Sequence, residues 1–246
     1  IMKNKKSIYL ILGIIIFISL WHFIFIKINS EIIFPNLINI LKKFAEIISE
    51  KSFYKDLSAS LIRVITAFIL SFLSASILGI LSGIFLPIRY ILIPIINFIR
   101  TIPSIPLILA AIIWFDNNAV PIFVSMLIIV PIIYDAVANG IINIDKKLIE
   151  MSLSYNVSLK TQIFSLYIPY IKPYILTAVS QSMGITWKSI LAAEILALPA
   201  FGIGTKLYES HLYLDTVSLF AYCLISVIFN GIFEIIIRIN YDKKNR

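Results

Sequence analysis

The chain has 246 residues, 60% of them hydrophobic and only 14% charged, with a mean hydropathy of +0.97. Soluble domains average roughly 45–50% apolar and about 25% charged residues, so a soluble globular domain is excluded and a polytopic membrane protein is expected. The formal charge of +8 points to nucleic acid only if the charges do not sort by membrane side. The single cysteine, Cys223, excludes an internal disulfide framework.

The first apolar run, Ile8 to Ile26, follows Lys3, Lys5 and Lys6. It is too long for a signal-peptide core and no small-residue cleavage site comes after it, so it predicts a transmembrane helix with its lysine end inside. Residues 27–56 are mixed and polar. Within them Leu37, Ile40, Leu41, Phe44, Ile47 and Ile48 recur at helical spacing, which predicts an amphipathic helix on the outer surface.

A second span is expected from Leu57 to Leu86, ending at Pro87 and Arg89. Pro94, Pro103 and Pro106 punctuate residues 90–115. Proline lacks an N–H and clashes with the preceding turn, so a short helix is expected at 90–100 and a third span at 102–115. Asp116, Asn117 and Asn118 form an outer turn, and a fourth span covers 119–138. A polar segment comes next at 139–167, then a fifth span at 169–198, an outer loop carrying Gly202, Gly204, Lys206, Glu209, His211 and Asp215, and a sixth span at 217–237.

This topology puts Lys3, Lys5, Lys6, Arg89, Arg100, Lys146, Lys147, Lys160 and the basic tail from Arg238 inside. Lys27, Lys42, Lys43, Lys51, Lys55 and Lys206 fall outside, interleaved with acidic residues. That bias agrees with the positive-inside pattern. The basic charge is topological, and no nucleic acid is expected as a partner.

The polar segment is far longer than the roughly 2–8 residues usual between packed helices. Asp145 suits a helix N-cap. Leu148, Met151, Ser152 and Tyr155 share one helical face, and Asn156 stands where a left-handed C-cap is needed. Pro169 is acceptable as the first residue of the next span. A short helix tied to two spans is a suitable lever, and a solvated connector is the plain alternative.

Glu150, Asn156, Leu166, Ile168 and Pro169 resemble the EAA loop of ABC importer permeases. Met151 and Ser152 replace its two alanines, and Asn156 replaces its glycine. RTIPSIPLILAAIIWF at 100–115, Ala59 to Val64, Asn143-Ile144-Asp145, and Trp187 with Ala192-Ala193-Glu194 are similar to nitrate/sulfonate/taurine-type permeases of that family. The resemblance covers about residues 56–238. It implies an all-α membrane protein of six transmembrane helices with the type I ABC importer (MetI-like) permease fold. By that resemblance residues 56–238 form the permease domain with its coupling loop at about 140–168, while hydropathy and charge make residues 1–55 an N-terminal transmembrane helix plus outer amphipathic segment and 239–246 a cytoplasmic tail.

The resemblance further implies that a helix at about 147–156 docks on a separate ABC ATPase subunit, through Lys147, Leu148, Glu150, Met151, Ser152, Tyr155 and Asn156. ATP and Mg would be bound by that subunit, with no cofactor, metal or enzymatic activity in this chain. The other expected partners are an extracytoplasmic substrate-binding protein, a second permease copy and membrane lipid. The expected location is the bacterial cytoplasmic membrane, multi-pass, with both termini cytoplasmic. The expected cargo is a small organic or oxyanion solute.

Charged groups in membrane spans mark functional sites by default. In the fifth span Thr177, Gln181, Gly184 and Lys188 make a polar stripe, with Trp187 and Glu194 on a neighbouring face. These residues are candidates to line the translocation path, with Lys188 facing an anionic or polar solute. The alternatives for Lys188 are a pair with a carboxylate, of which Glu194 is one candidate, and packing at the interface between subunits. Arg63 is expected to snorkel to the interface, Asp135 to meet the cytoplasmic boundary, and Gly79 and Gly83 to permit close helix packing.

The stretch Gly202-Ile203-Gly204-Thr205-Lys206 is not a P-loop, because the residue order is wrong; it is expected to be a flexible outer turn. His22 and His211 lie far apart and no paired-carboxylate or nucleophile motif stands out, which disfavours a membrane enzyme. A secondary transporter usually shows repeated halves, and no such repeat stands out.

Overall fold

The computed structural model describes residues 2–244, with side chains described for Tyr9 and residues 11–236. It consists of helices joined by short turns: α1 Met2–Ile28, α2 Leu37–Ser49, α3 Lys51–Ile84, α4 Leu86–Thr101, α5 Ser104–Trp114, α6 Ala119–Ile142, α7 Lys146–Ser154, α8 Leu159–Gln162, a π-helical turn Ile163–Tyr167, α9 Ile168–Ala197, α10 Ile203–Leu212 and α11 Thr216–Lys244.

Four helices, α1, α3, α6 and α11, are long and apolar enough to cross a membrane. The pair α4 and α5 adds a fifth span if it is taken as one bent unit. Helix α9 has 30 residues but is more polar, carrying Lys172, Lys188 and Glu194. The expected six spans therefore require both the bent pair and α9.

The third span corrects the expectation most. Helix α5 has 11 residues, about 16 Å at 1.5 Å per residue, roughly half of a ~30 Å hydrocarbon core. It cannot cross alone. It meets α4 at a bend of 100°, across Ile102 and Pro103, where the backbone is extended. Pro103 disfavours the helical region for the residue before it, which explains why the chain breaks here.

Helices α3 and α6 pack closely because glycine opens the surface of α3. A Cβ on Gly79 would lie 2.8 Å from Val137 Cβ, and one on Gly83 would lie 2.7 Å from Ile141 Cβ. The small-residue pair thus has the packing role its spacing suggested. Helix α9 runs back antiparallel along α6, with Gly140 against Ile171 and Tyr174 at one end and Ser125 bonded to Ser189 near the other. Residues Ile129, Ile133, Val137, Ile141, Tyr167 and Ile171 fill the core between them at the α7 end.

Helix α1 stands at the periphery, its apolar side chains from Ile11 to Phe17 exposed, as expected for a lipid-facing helix. It is attached where Trp21 packs on Phe34 and Phe220 and donates its indole N–H to the Pro35 carbonyl at 3.1 Å. Helix α2 begins with Asn36, whose side chain caps Ile38 N–H at 3.0 Å. Its Ile40 and Ile47 are buried on α11 and α3, the face its periodicity assigns.

Residues 202–206 are not a flexible turn. Gly202 is followed by α10, and a Cβ on Gly204 would lie 2.4 Å from the Leu191 carbonyl. The segment is held against α9 as closely as backbone allows.

Candidate functional site

Helix α7 is short, exposed and anchored at both ends. Asp145 caps it through a 2.9 Å bond from Lys147 N–H. Asn156 adopts φ 51°, the left-handed conformation that asparagine tolerates better than most residues. Ser158 then caps α8 by accepting from Thr161 N–H. No residue of α7 is buried. Lys147, Leu148, Glu150, Met151, Tyr155 and Asn156 are exposed, and Ser152 is half-buried with its hydroxyl bonded to the Ile149 carbonyl at 2.7 Å. Leu148, Met151, Leu153 and Tyr155 together leave an apolar surface beside Glu150.

Both ends of this loop are tied to helices. Helix α6 ends at Ile142, a few residues before α7, and buried Ile144 packs in the same core as Ile171. The π-helical turn leads directly into α9, and Tyr170 Oη donates to the Asn143 carbonyl at 3.2 Å. Helix α7 is thereby held between the ends of α6 and α9.

Those two helices, with α5 and the end of α4, line an open cavity of about 1060 Å³. Its walls are mostly apolar, through Leu107, Ile108, Val124, Leu127 and Ile128, with polar groups at Ser104, Asn139, Thr177, Gln181 and Ser189. Thr177, Gln181, Ile185, Lys188 and Ala192 bring one stripe of α9 into it. Arg100 and Asp135 also line it and form an ion pair between α4 and α6. Asp135, expected only as a boundary residue, is thus part of the cavity.

Trp187 and Glu194, the other two pathway candidates, lie elsewhere. Trp187 is 1% exposed, packs on Phe229 and Phe233 of α11 and donates to the Ser226 carbonyl at 3.0 Å. On α9 it sits next to Lys188, so one step of about 100° turns it away from the cavity. Gly184 faces Asn230 of α11, also away from the lining.

Glu194 is fully buried at the far end of α9. Arg63, Ser60 and Gly204 N–H all donate to its carboxylate, at 2.6, 2.8 and 2.9 Å. Arg63 also donates to the Phe201 carbonyl at 2.9 Å and to Asn118 Oδ1 at 2.8 Å. Asp56 accepts from Gly202 N–H at 3.1 Å, and Ser60 Oγ from Ile203 N–H at 2.9 Å. This corrects the expectation that Arg63 snorkels, and it removes the alternative of a Lys188–Glu194 pair, because the partner of Glu194 is Arg63. Lys188 has no ion-pair partner among the described residues.

The network joins α3, α9, the 116–118 turn and the start of α10. Asp56, Ser60 and Arg63 are spaced four and three residues apart on α3, one helical face, and that spacing is the sequence signal for it. Nearby, Lys206 pairs with Glu209 at 2.7 Å. Partial burial would lower the Lys206 pKa, but the Glu209 hydrogen bond and charge, with the charges of Asp56 and Glu50, together hold it above its ordinary value.

Residues 75–245 match the model of the binding-protein-dependent transport system inner membrane component family. The chain belongs to that family of transport permeases. It is 27% identical to a probable ABC transporter permease of Brucella melitensis biotype 1, over 83% of each chain. It is 24% identical to the putative aliphatic sulfonates transport permease SsuC of Bacillus subtilis strain 168, over 91% of this chain and 82% of that one. Relatives named for taurine transport in Escherichia coli K12 and nitrate import in Leptolyngbya laminosa also match, at 25% and 28% identity. The fold is shared with a chain from inward-facing structures of the MetNI methionine ABC transporter, with a TM-score of 0.58, 16% identity and coverage of 76% of this chain and 94% of that one. The permease is a multi-pass inner-membrane protein.

Proposed function

We propose that α7 is the lever through which a separate ATPase subunit drives this permease, and that the cavity between α5, α6 and α9 is this chain's share of the translocation path. The single observation that carries the reading is that no residue of α7 is buried while both its ends are tied to helices lining the cavity. A membrane span cannot hydrolyse ATP, so force must reach it by contact.

In this reading Lys147, Leu148, Glu150, Met151, Ser152, Tyr155 and Asn156 contact the ATPase, which holds ATP and Mg. Both termini face the cytoplasm, as does α7. A second copy of the chain completes the path, lipid surrounds the pair, and an extracytoplasmic binding protein delivers the solute onto the far end, near α10. Residues 1–55 are a peripheral addition to a permease domain at 56–238, and 239–246 are a cytoplasmic tail. Thr177, Gln181 and Lys188 line the path, and Lys188 suits a small organic anion or oxyanion. Trp187 and Glu194 support the path from behind without lining it.

The test is reconstitution of the permease with its ATPase in proteoliposomes. Loaded binding protein should stimulate ATP hydrolysis, and Glu150→Arg with Met151→Asp should abolish the stimulation. Retention of full stimulation in that variant would exclude α7 as the lever. A secondary transporter would instead purify without an ATPase and move solute without ATP.

A further inference from the structure

The cavity has three charged lining residues, Arg100, Asp135 and Lys188, and a net charge of +1. They occupy two levels. Lys188 adjoins Ser189, which is bonded to Ser125 of α6. Asp135 lies ten residues further along α6, about 15 Å at 1.5 Å per residue, toward α7. At that level Arg100 and Asp135 pair across the cavity wall.

The pair is reachable. Their side chains are 49% and 41% exposed, against 7% and 0% for Arg63 and Glu194. It is also sparsely bonded. Among the described residues, Asp135 is the one side-chain partner of Arg100 and Arg100 the one partner of Asp135, whereas a guanidinium offers five donors suited to a two-pronged oxyanion. An exposed pair with free donors exchanges its carboxylate for another anion at little cost.

We propose that Arg100 and Asp135 form an anion-exchange station at the α7 end of the cavity. An oxyanion leaving Lys188 binds Arg100 and displaces Asp135. Asp135 then re-forms the pair and drives the anion out. Lys188 attracts the solute, and the Asp135 carboxylate prevents it from being retained. This rests on the cavity being the substrate path.

The experiment uses the complete permease–ATPase complex in nanodiscs of zwitterionic lipid, without binding protein. Chloride is the probe, read by 35Cl NMR line broadening, with methanesulfonate as competing anion and neutral dimethyl sulfone as its uncharged isostere. Asp135→Asn should raise the methanesulfonate-displaceable broadening about threefold. Arg100→Gln should remove most of it, and Arg100→Lys should keep about half. Dimethyl sulfone should displace nothing.

A pair that merely clamped α4 to α6 would be broken equally by Asp135→Asn and Arg100→Gln. Changes in the same direction for both would therefore overturn the station, as would displacement by dimethyl sulfone. Either result leaves the α7 reading standing if wild-type ATP hydrolysis is still stimulated by loaded binding protein, so the two ideas fail separately.

Discussion

The two arginine–carboxylate pairs of this permease have the same chemistry and opposite surroundings. Arg63 and Glu194 are enclosed, with Ser60, Gly204, Asn118 and the Phe201 carbonyl completing their hydrogen bonds. Arg100 and Asp135 face a cavity and, among the described residues, have only one another as side-chain partners. Desolvated charges are tolerated when every lone pair and proton has a partner, and losing one partner then leaves an uncompensated charge. Exposed charges are screened and replaceable. The first arrangement holds a shape, and the second is free to change partners.

The largest test of that contrast is Glu194→Ala against Asp135→Ala. Removing one member of a buried pair costs about 3–5 kcal/mol, and the complex should unfold in detergent at markedly lower temperature or fail to accumulate. Removing one member of an exposed pair costs at most about 1 kcal/mol, and the thermal midpoint should barely move. Equal midpoints for the two variants would erase the distinction.

The next test concerns space. A Cβ on Gly204 would lie 2.4 Å from the Leu191 carbonyl and 2.5 Å from Glu194 Cβ, so Gly204→Ala must push α10 off α9. Overpacking of this kind costs about 1–3 kcal/mol. Gly231→Ala is the control, since nothing lies within 4 Å of its added Cβ; within a helix it should stabilise by up to about 1 kcal/mol. Thermal unfolding of the two variants should shift in opposite directions.

Asp145→Ala removes the cap of α7 and should cost about 1 kcal/mol locally. Amide hydrogen exchange should quicken in 146–154 and stay unchanged in α3. The smallest effect belongs to the surface. The Glu46 hydrogen bond holds the Lys43 pKa above its ordinary value against partial desolvation. The stabilisation is therefore fully present below the unfolded pKa of about 10.4 and lost as pH rises through the folded value. Glu46→Gln should cost under about 1 kcal/mol at pH 7, and urea titrations should show the difference shrinking above pH 10.

Residues acting through their neighbours in sequence were legible. Asp145 as a cap, Asn156 as a left-handed stop, and Gly79 with Gly83 as a packing pair each depend on backbone conformation or on the spacing of one helix. The long apolar runs were legible for the same reason. The third span was not. Eleven helical residues of α5 and an apolar spanning segment have similar composition, and only the 100° bend at Ile102–Pro103 separates them.

Sequence by itself determined that this is a membrane protein with a short capped helix set between two of its long helices, because hydropathy and caps are written along the chain, and the Glu150-to-Pro169 spacing carries its resemblance to importer permeases. Tertiary structure decided which charge meets which. Arg63 and Glu194 are 131 residues apart and Arg100 and Asp135 are 35 apart. On α9, Lys188 and buried Trp187 are adjacent in sequence, yet only Lys188 meets the cavity. A helix of 3.6 residues per turn separates neighbours by about 100°, so which face meets the cavity is fixed only when the other helices are in place.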